Sequence, residues 1–148
     1  MFDDSRIDIY DYISDMLNGV VSNSVYKMYE PESLTSDAVK NGFIVIKVGE
    51  LNNESEFGYS TYAWVRCYIE AYVPTKNNGE LNEARYKEME DGINMVINLA
   101  GESGVNENGY SLDADNVISY DDGRVHTAGN MFHIFGKSFT VDIHKEND

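Results

Sequence analysis

From Thr61 to Val73 the chain alternates without a break. The odd positions Thr61, Ala63, Val65, Cys67, Ile69, Ala71 and Val73 are small or β-branched. The even positions Tyr62, Trp64, Arg66, Tyr68, Glu70 and Tyr72 are large and amphipathic. A period of two over such a length predicts one long strand from Tyr59 to Val73, closed by Pro74, with its small-residue side suited to a close helix layer. A helical period appears twice. Ile9, Ile13, Met16, Leu17 and Val20 predict an amphipathic helix over residues 5–18, with Asp3, Asp4 and Asp8 near its positive end. Asn82, Tyr86, Met89, Ile93, Val96, Ile97 and Ala100 predict a second helix from Glu80 to Ala100, stopped by Gly101. Its opposite face carries Glu83, Lys87, Glu88 and Asp91.

The remaining segments are shorter. Val25–Tyr29 predicts a strand ended by Glu30-Pro31, and Pro31–Gly42 a loop with one helical turn. Phe43–Val48 is a continuous apolar run, the pattern of a strand buried on both faces. Gly49–Gly58 is polar and acidic and predicts a connection, and residues 101–116 predict a long loop. Val117–Tyr120 leads into Asp121-Asp122-Gly123, a turn signal. A last strand spans Met131 to His144, and its apolar phase changes at Gly136, which predicts a bulge there. Residues 145–148 read as a frayed tail. The sum is a single α+β domain over 1–148: a largely antiparallel β-sheet with two main helices packed on one face.

Composition narrows the class. The chain has 148 residues and is 42% hydrophobic, enough for one core and too short for two. Asp and Glu number 26 against 11 Lys and Arg, a net charge of −15. Such a surface repels phosphates and anionic lipid, which argues against specific nucleic-acid binding and against a membrane-surface role. No apolar run approaches the ~20 residues of a membrane span. The acidic start, Met1-Phe2-Asp3-Asp4, is unlike a signal peptide. The one cysteine, Cys67, excludes an internal disulfide framework. The expectation is a protein made and kept in a reducing cytoplasm.

Chemistry is sparse. His126, His133 and His144 have no metal-ligand spacing and read as surface or strand-end residues. Cys67 lies mid-strand on the small-residue side and reads as a buried hydrophobe. Asp113-Ala-Asp115-Asn116 lacks the glycine and the terminal glutamate of a calcium loop and reads as a solvated turn. No phosphate-binding glycine motif and no nucleophile–base pairing is present. The sequence therefore offers no catalytic residue, no metal site and no cofactor. What stands out is the aromatic side of the long strand: Tyr62, Trp64, Arg66, Tyr68 and Tyr72. Either the N-terminal helix or the long loops cover it, or it is a subunit or partner interface, where Tyr, Trp and Arg are enriched. The segments Gly49–Gly58 and Glu102–Asn116 are long against the ~4–6 residues of ordinary connections and are expected to carry partner contacts. Glu50, Glu54 and Glu56 supply negative potential there.

In this order of elements the sequence resembles the tail terminator (tail completion) proteins of tailed bacteriophages, within the wider group of small head–tail joining and neck proteins. The carrying features are the N-terminal helix leading to Val25-Tyr26, the segment Tyr29-Glu30-Pro31 and the strand Gly42–Gly49. After them come the long strand ending Tyr72-Val73-Pro74 and the helix Leu81–Leu99, with Leu81, Met89, Ile93 and Val96 inward. The likeness covers roughly residues 5–100, and the C-terminal third is similar in kind only. It implies a non-enzymatic virion protein, assembled in the bacterial host, that forms a homo-oligomeric ring (commonly a hexamer) at the head-proximal end of the tail. Such a ring ends tube polymerisation, docks other neck and tail proteins and passes DNA through an acidic lumen. The alternative from another class is a small acidic binding or inhibitor protein, an immunity or anti-defence factor.

Overall fold

The computed structural model describes residues 5–28, 33–56, 60–127 and 129–144, without the side chains of 5, 53–56, 60–62 and 127. The acidic Met1–Asp4, the Tyr29–Glu32 segment and the expected frayed tail 145–148 lie outside the described residues. In chain order the elements are α1 (Ser5–Asn18), β1 (Ser24–Lys27), α2 (Ser36–Asn41), β2 (Phe43–Glu56) and β3 (Ser60–Pro74). They continue with α3 (Glu83–Ser103), β4 (Tyr110–Thr127) and β5 (Asn130–Ile143). One five-stranded sheet has the order β1-β2-β3-β5-β4. Among the described residues only β1 and β2 pair in parallel, and the other ladders are antiparallel. The α+β architecture expected from the sequence is the one observed.

The alternating strand is the sheet's centre, flanked by β2 and β5. Ala63, Val65, Cys67, Ile69, Ala71 and Val73 are fully buried. They lie beneath Ile9, Ile13 and Leu17 of α1 and Met89, Ile93 and Val96 of α3 in one core. Small and β-branched residues at the sheet centre let two helices sit close, and removing this much apolar surface from water is the main driving force of the fold. Asn82 caps α3, its side chain accepting a hydrogen bond from the Arg85 N–H at 3.2 Å. The helix therefore starts three residues later than the periodicity suggested.

Several expectations are corrected. The polar stretch from Gly49 is strand, not loop: β2 runs on to Glu56, paired residue for residue with the start of β3 after an irregularity between Val48 and Leu51. Backbone pairing to a long neighbour holds this extension without an apolar side-chain pattern. Gly101 does not stop α3, which ends at Gly104. A Cβ at Gly101 would come within 2.6 Å of Ala114 Cβ, so this glycine lets the helix approach β4. Residues 110–116 likewise belong to β4, with Tyr110 and Leu112 buried. Asp121-Asp122-Gly123 is no hairpin turn either: β4 passes through it with a register shift between Asp121 and Gly123, and the chain reverses between Thr127 and Asn130.

Gly136 has a different role from the one its phase change suggested. The pairing of β5 with β3 is regular through it, Glu70 lying opposite. A Cβ there would sit 2.3 Å from Tyr120 Cζ, so the Tyr120 ring occupies the side-chain space that the glycine leaves. The irregularity belongs to β4, across the ladder.

Candidate functional site

With α1 and α3 on one side, the other side of the sheet is read as rows across β2, β3, β5 and β4. Paired residues give Asn52–Trp64–Asp142–Ser111, then Arg66–Thr140–Asp113, then Lys47–Tyr68–Ser138–Ile118. Val45–Glu70–Gly136–Tyr120 and Phe43–Tyr72–Ile134–Gly123 follow. Helix α2 lies over the last of these rows, and Val45 of the row before it packs against the same cluster. Its Ala38 is fully buried in a small second core with Phe43 and Phe132, against which Tyr26, Leu34 and Tyr72 pack. Thr35 caps this helix by accepting from the Ala38 N–H at 3.1 Å.

The aromatic side of β3 is thereby divided. Tyr72 stacks on Phe43, ring centroids 4.4 Å apart at 14°, and is engaged in the fold. Tyr68 meets Tyr120 edge-on at 6.4 Å and remains half-buried. Trp64 and Arg66 are half-buried beside a groove of about 620 Å³, whose lining includes Asp113, Asp115, Ile118 and Asp142. The β2–β3 register pairs Tyr62 with Glu54 and Ser60 with Glu56, while Glu50 lies in the irregular stretch and is exposed. Neither α1 nor a loop among the described residues covers this half of the face; α1 packs on the opposite side.

Between the covered and uncovered rows sits an ionic network that the sequence did not single out. Glu70, 6% exposed, pairs with Lys47 Nζ at 2.7 Å and accepts from the Tyr120 hydroxyl at 2.8 Å. Burial and this hydrogen bond push the Tyr120 phenol well above its ordinary value. Burial pulls the Lys47 ammonium down, but Glu70 outweighs it and leaves it raised. The signal in the sequence was Glu70 itself, a carboxylate in mid-strand whose partners come from distant segments.

On the helix side, His133 Nε2 lies 2.8 Å from Asp121 Oδ2, and the Tyr86 hydroxyl donates to the same oxygen at 3.2 Å. Burial raises the Asp121 carboxyl, but the bonds from His133 and the Gly123 N–H prevail and hold it below the usual range. Lys137, 6% exposed, reaches Glu90 and Ser119, each at 2.9 Å. His144 lies 2.8 Å from Ser111 Oγ. Among the described residues no group of His, Cys, Asp and Glu is arranged to hold a metal ion, and no helix is long and apolar enough to cross a membrane. No family model matches the chain, and no characterised protein matches it in sequence. What the geometry defines is an α+β domain whose sheet is covered on one side and half covered on the other.

Cys67 is fully buried, and burial pushes its thiol far up. A raised thiol stays neutral in the folded chain while the unfolded chain releases its proton above about pH 8.5, so this contribution is present below that value and lost as pH rises. Stability should fall by about 1 kcal/mol by roughly pH 9.5 from this group alone. The raised phenols of Tyr72, Tyr86 (to about 12) and Tyr120 add losses of the same sign from about pH 10. Urea denaturation from neutral pH upward checks this: Cys67→Ala should flatten the first part of the decline. An unchanged slope would assign the decline to other groups.

Proposed function

We propose that this protein is a structural ring component of a bacteriophage tail or neck. Copies assemble into a homo-oligomeric ring, a hexamer or larger, at the head-proximal end of the tail, where the ring ends tube polymerisation and joins tail to head. Its place is then the virion, after assembly in the host cytoplasm. The observation that supports this reading is the uncovered half of the sheet. Trp64, Arg66 and Tyr68 stand there on the central strand, and an exposed Ile118, 57% accessible, lies in the Tyr68 row on β4. Aromatic and arginine side chains on a flat, uncovered surface are the composition of an interface core. The net charge of −15 agrees with a lumen that does not retain passing DNA. The order of elements resembles that of tail terminators as far as α3.

Light scattering at micromolar concentration, alone and with purified tube and neck proteins, tests the proposal. The expected result is a ring-sized mass on its own or on the tube. Trp64→Ala and Tyr68→Ala should each reduce assembly at least several-fold while costing no more than about 1 kcal/mol of folding stability. A monomer that joins neither tube nor neck proteins overturns the proposal, and salt-sensitive one-to-one binding to a basic enzyme would replace it with the inhibitor reading.

A further inference from the structure

We infer that Asn78 is a site of spontaneous covalent modification: the Gly79 nitrogen closes on its side chain to a succinimide, which water opens to aspartate or isoaspartate. The turn that carries it follows β3 at the far end of that strand from Trp64, so the inference does not depend on how copies assemble. Four asparagines precede glycine in this chain: Asn18, Asn41, Asn78 and Asn108. A following glycine has no side chain to shield its main-chain nitrogen from the asparagine amide. The fold treats the four differently. Asn18 and Asn41 are the last residues of α1 and α2, and their side-chain amides donate back to Ser14 Oγ at 3.4 Å and Asp37 Oδ1 at 2.6 Å. A side chain drawn back along its own helix points away from the nitrogen ahead of it. Asn108 is exposed in a turn held by Asn106, whose Oδ1 accepts from the Asn108 and Tyr110 N–H groups. The Asn108 side chain makes no hydrogen bond among the described residues and rotates freely.

Asn78 alone is both exposed and posed for attack. Its Oδ1 accepts from the Glu80 N–H at 3.1 Å, two residues ahead. That bond mimics a backbone turn and folds the Asn78 Cγ back over the Gly79 nitrogen, the atom it has to meet. The same Glu80 N–H polarises the amide carbonyl and stays on its oxygen as negative charge develops there. Arg124 Nη1 stands 3.5 Å from the Gly79 carbonyl oxygen, and its charge favours an anion at this turn. The Gly79 N–H is bonded to the Lys76 carbonyl at 2.8 Å, so its proton leaves to hydroxide as that bond opens. The freed nitrogen bonds to Asn78 Cγ, the bond from Cγ to the side-chain nitrogen breaks, and ammonia departs. Water then adds at one of the two succinimide carbonyls, giving aspartate from one and isoaspartate from the other. Either product adds one negative charge beside Arg124. Isoaspartate also lengthens the main chain by one carbon, which loosens the Lys76 N–H bond to the Glu80 carbonyl at 2.9 Å.

The full chain is held at mildly alkaline pH, folded and in urea, and sampled for peptide mass mapping. Each conversion reads as a gain of one mass unit at its own asparagine. In urea the four sites should convert at similar rates, because each is followed by glycine. In the folded chain Asn78 should convert at least about fivefold faster than Asn108, with Asn18 and Asn41 slower still. Glu80→Pro removes the N–H that Asn78 Oδ1 accepts and should slow Asn78 about fivefold while leaving Asn108 unchanged. Arg124→Gln keeps every main-chain bond and should slow Asn78 about twofold, which serves if the proline variant melts early. The inference is overturned by equal rates at Asn78 and Asn108 in the folded chain, or by faster conversion at any of the other three. It is also overturned by a folded chain that stays unmodified while the chain in urea converts, or by a folded Glu80→Pro variant that converts Asn78 at the original rate. Ring-sized mass, present or absent in the same samples, bears on the assembly reading alone.

Discussion

Phe43→Ala is expected to lower folding stability by about 3–5 kcal/mol. That corresponds to a fall of roughly 10 °C or more in Tm for a chain of this length. Phe43 is 3% exposed and is the hub of the second core. Its ring stacks on Tyr72 at 4.4 Å and meets Phe132 at 5.3 Å and Tyr26 at 5.6 Å, both edge-on. Truncation removes the shared partner of three aromatic rings and the floor beneath Ala38 of α2. Because this cluster lies on the far side of the sheet from the main core, α1 and α3 cannot move in to fill the cavity. Trp64→Ala, on the same side but in the uncovered rows, should cost about 1 kcal/mol or less. Urea denaturation of the two variants side by side measures the contrast. Equal losses would mean that Trp64 is core and that the uncovered face is not available for assembly.

Gly42→Ala is expected to cost about 3 kcal/mol, more than a glycine at the edge of a helix ordinarily would. Gly42 joins α2 to β2 with φ of +93° and ψ of 163°, a backbone conformation open to glycine and strained for L side chains. A Cβ would also stand 2.8 Å from the Tyr72 carbonyl oxygen and 3.0 Å from Pro74 Cδ. The oxygen is backbone of the central strand and cannot swing aside. Relief requires α2 to lift, which uncovers Phe43 and loosens the Gly42 N–H bond to the Ala38 carbonyl at 2.9 Å. Denaturation measures the loss. In a double-mutant cycle, Gly42→Ala should cost less in the Phe43→Ala background, since both changes release the same helix. Additive losses would show that the strain is confined to the glycine.

The sequence by itself determined everything written in a local burial period: the central strand with its small buried side, the apolar stripes of both main helices and hence the α+β class. It also carried the sign of the charge and the identity of the aromatic residues along one side of that strand. Tertiary structure decided what has no local period. Residues 49–56 and 110–116 are strand because long neighbours satisfy their backbone hydrogen bonds, and backbone pairing leaves little trace in side-chain pattern. Tyr72 and Trp64 have the same phase on one strand, yet one is packed beneath α2 and the other borders a groove, because α2 is too short to reach both. Glu70 with Lys47 and Tyr120, and Trp64 with Asp142 and Asp113, are brought together only by the register of β2, β3, β5 and β4. Cross-strand neighbours are set by which edges pair and in what register, a choice made by the whole core and not by any window of the chain.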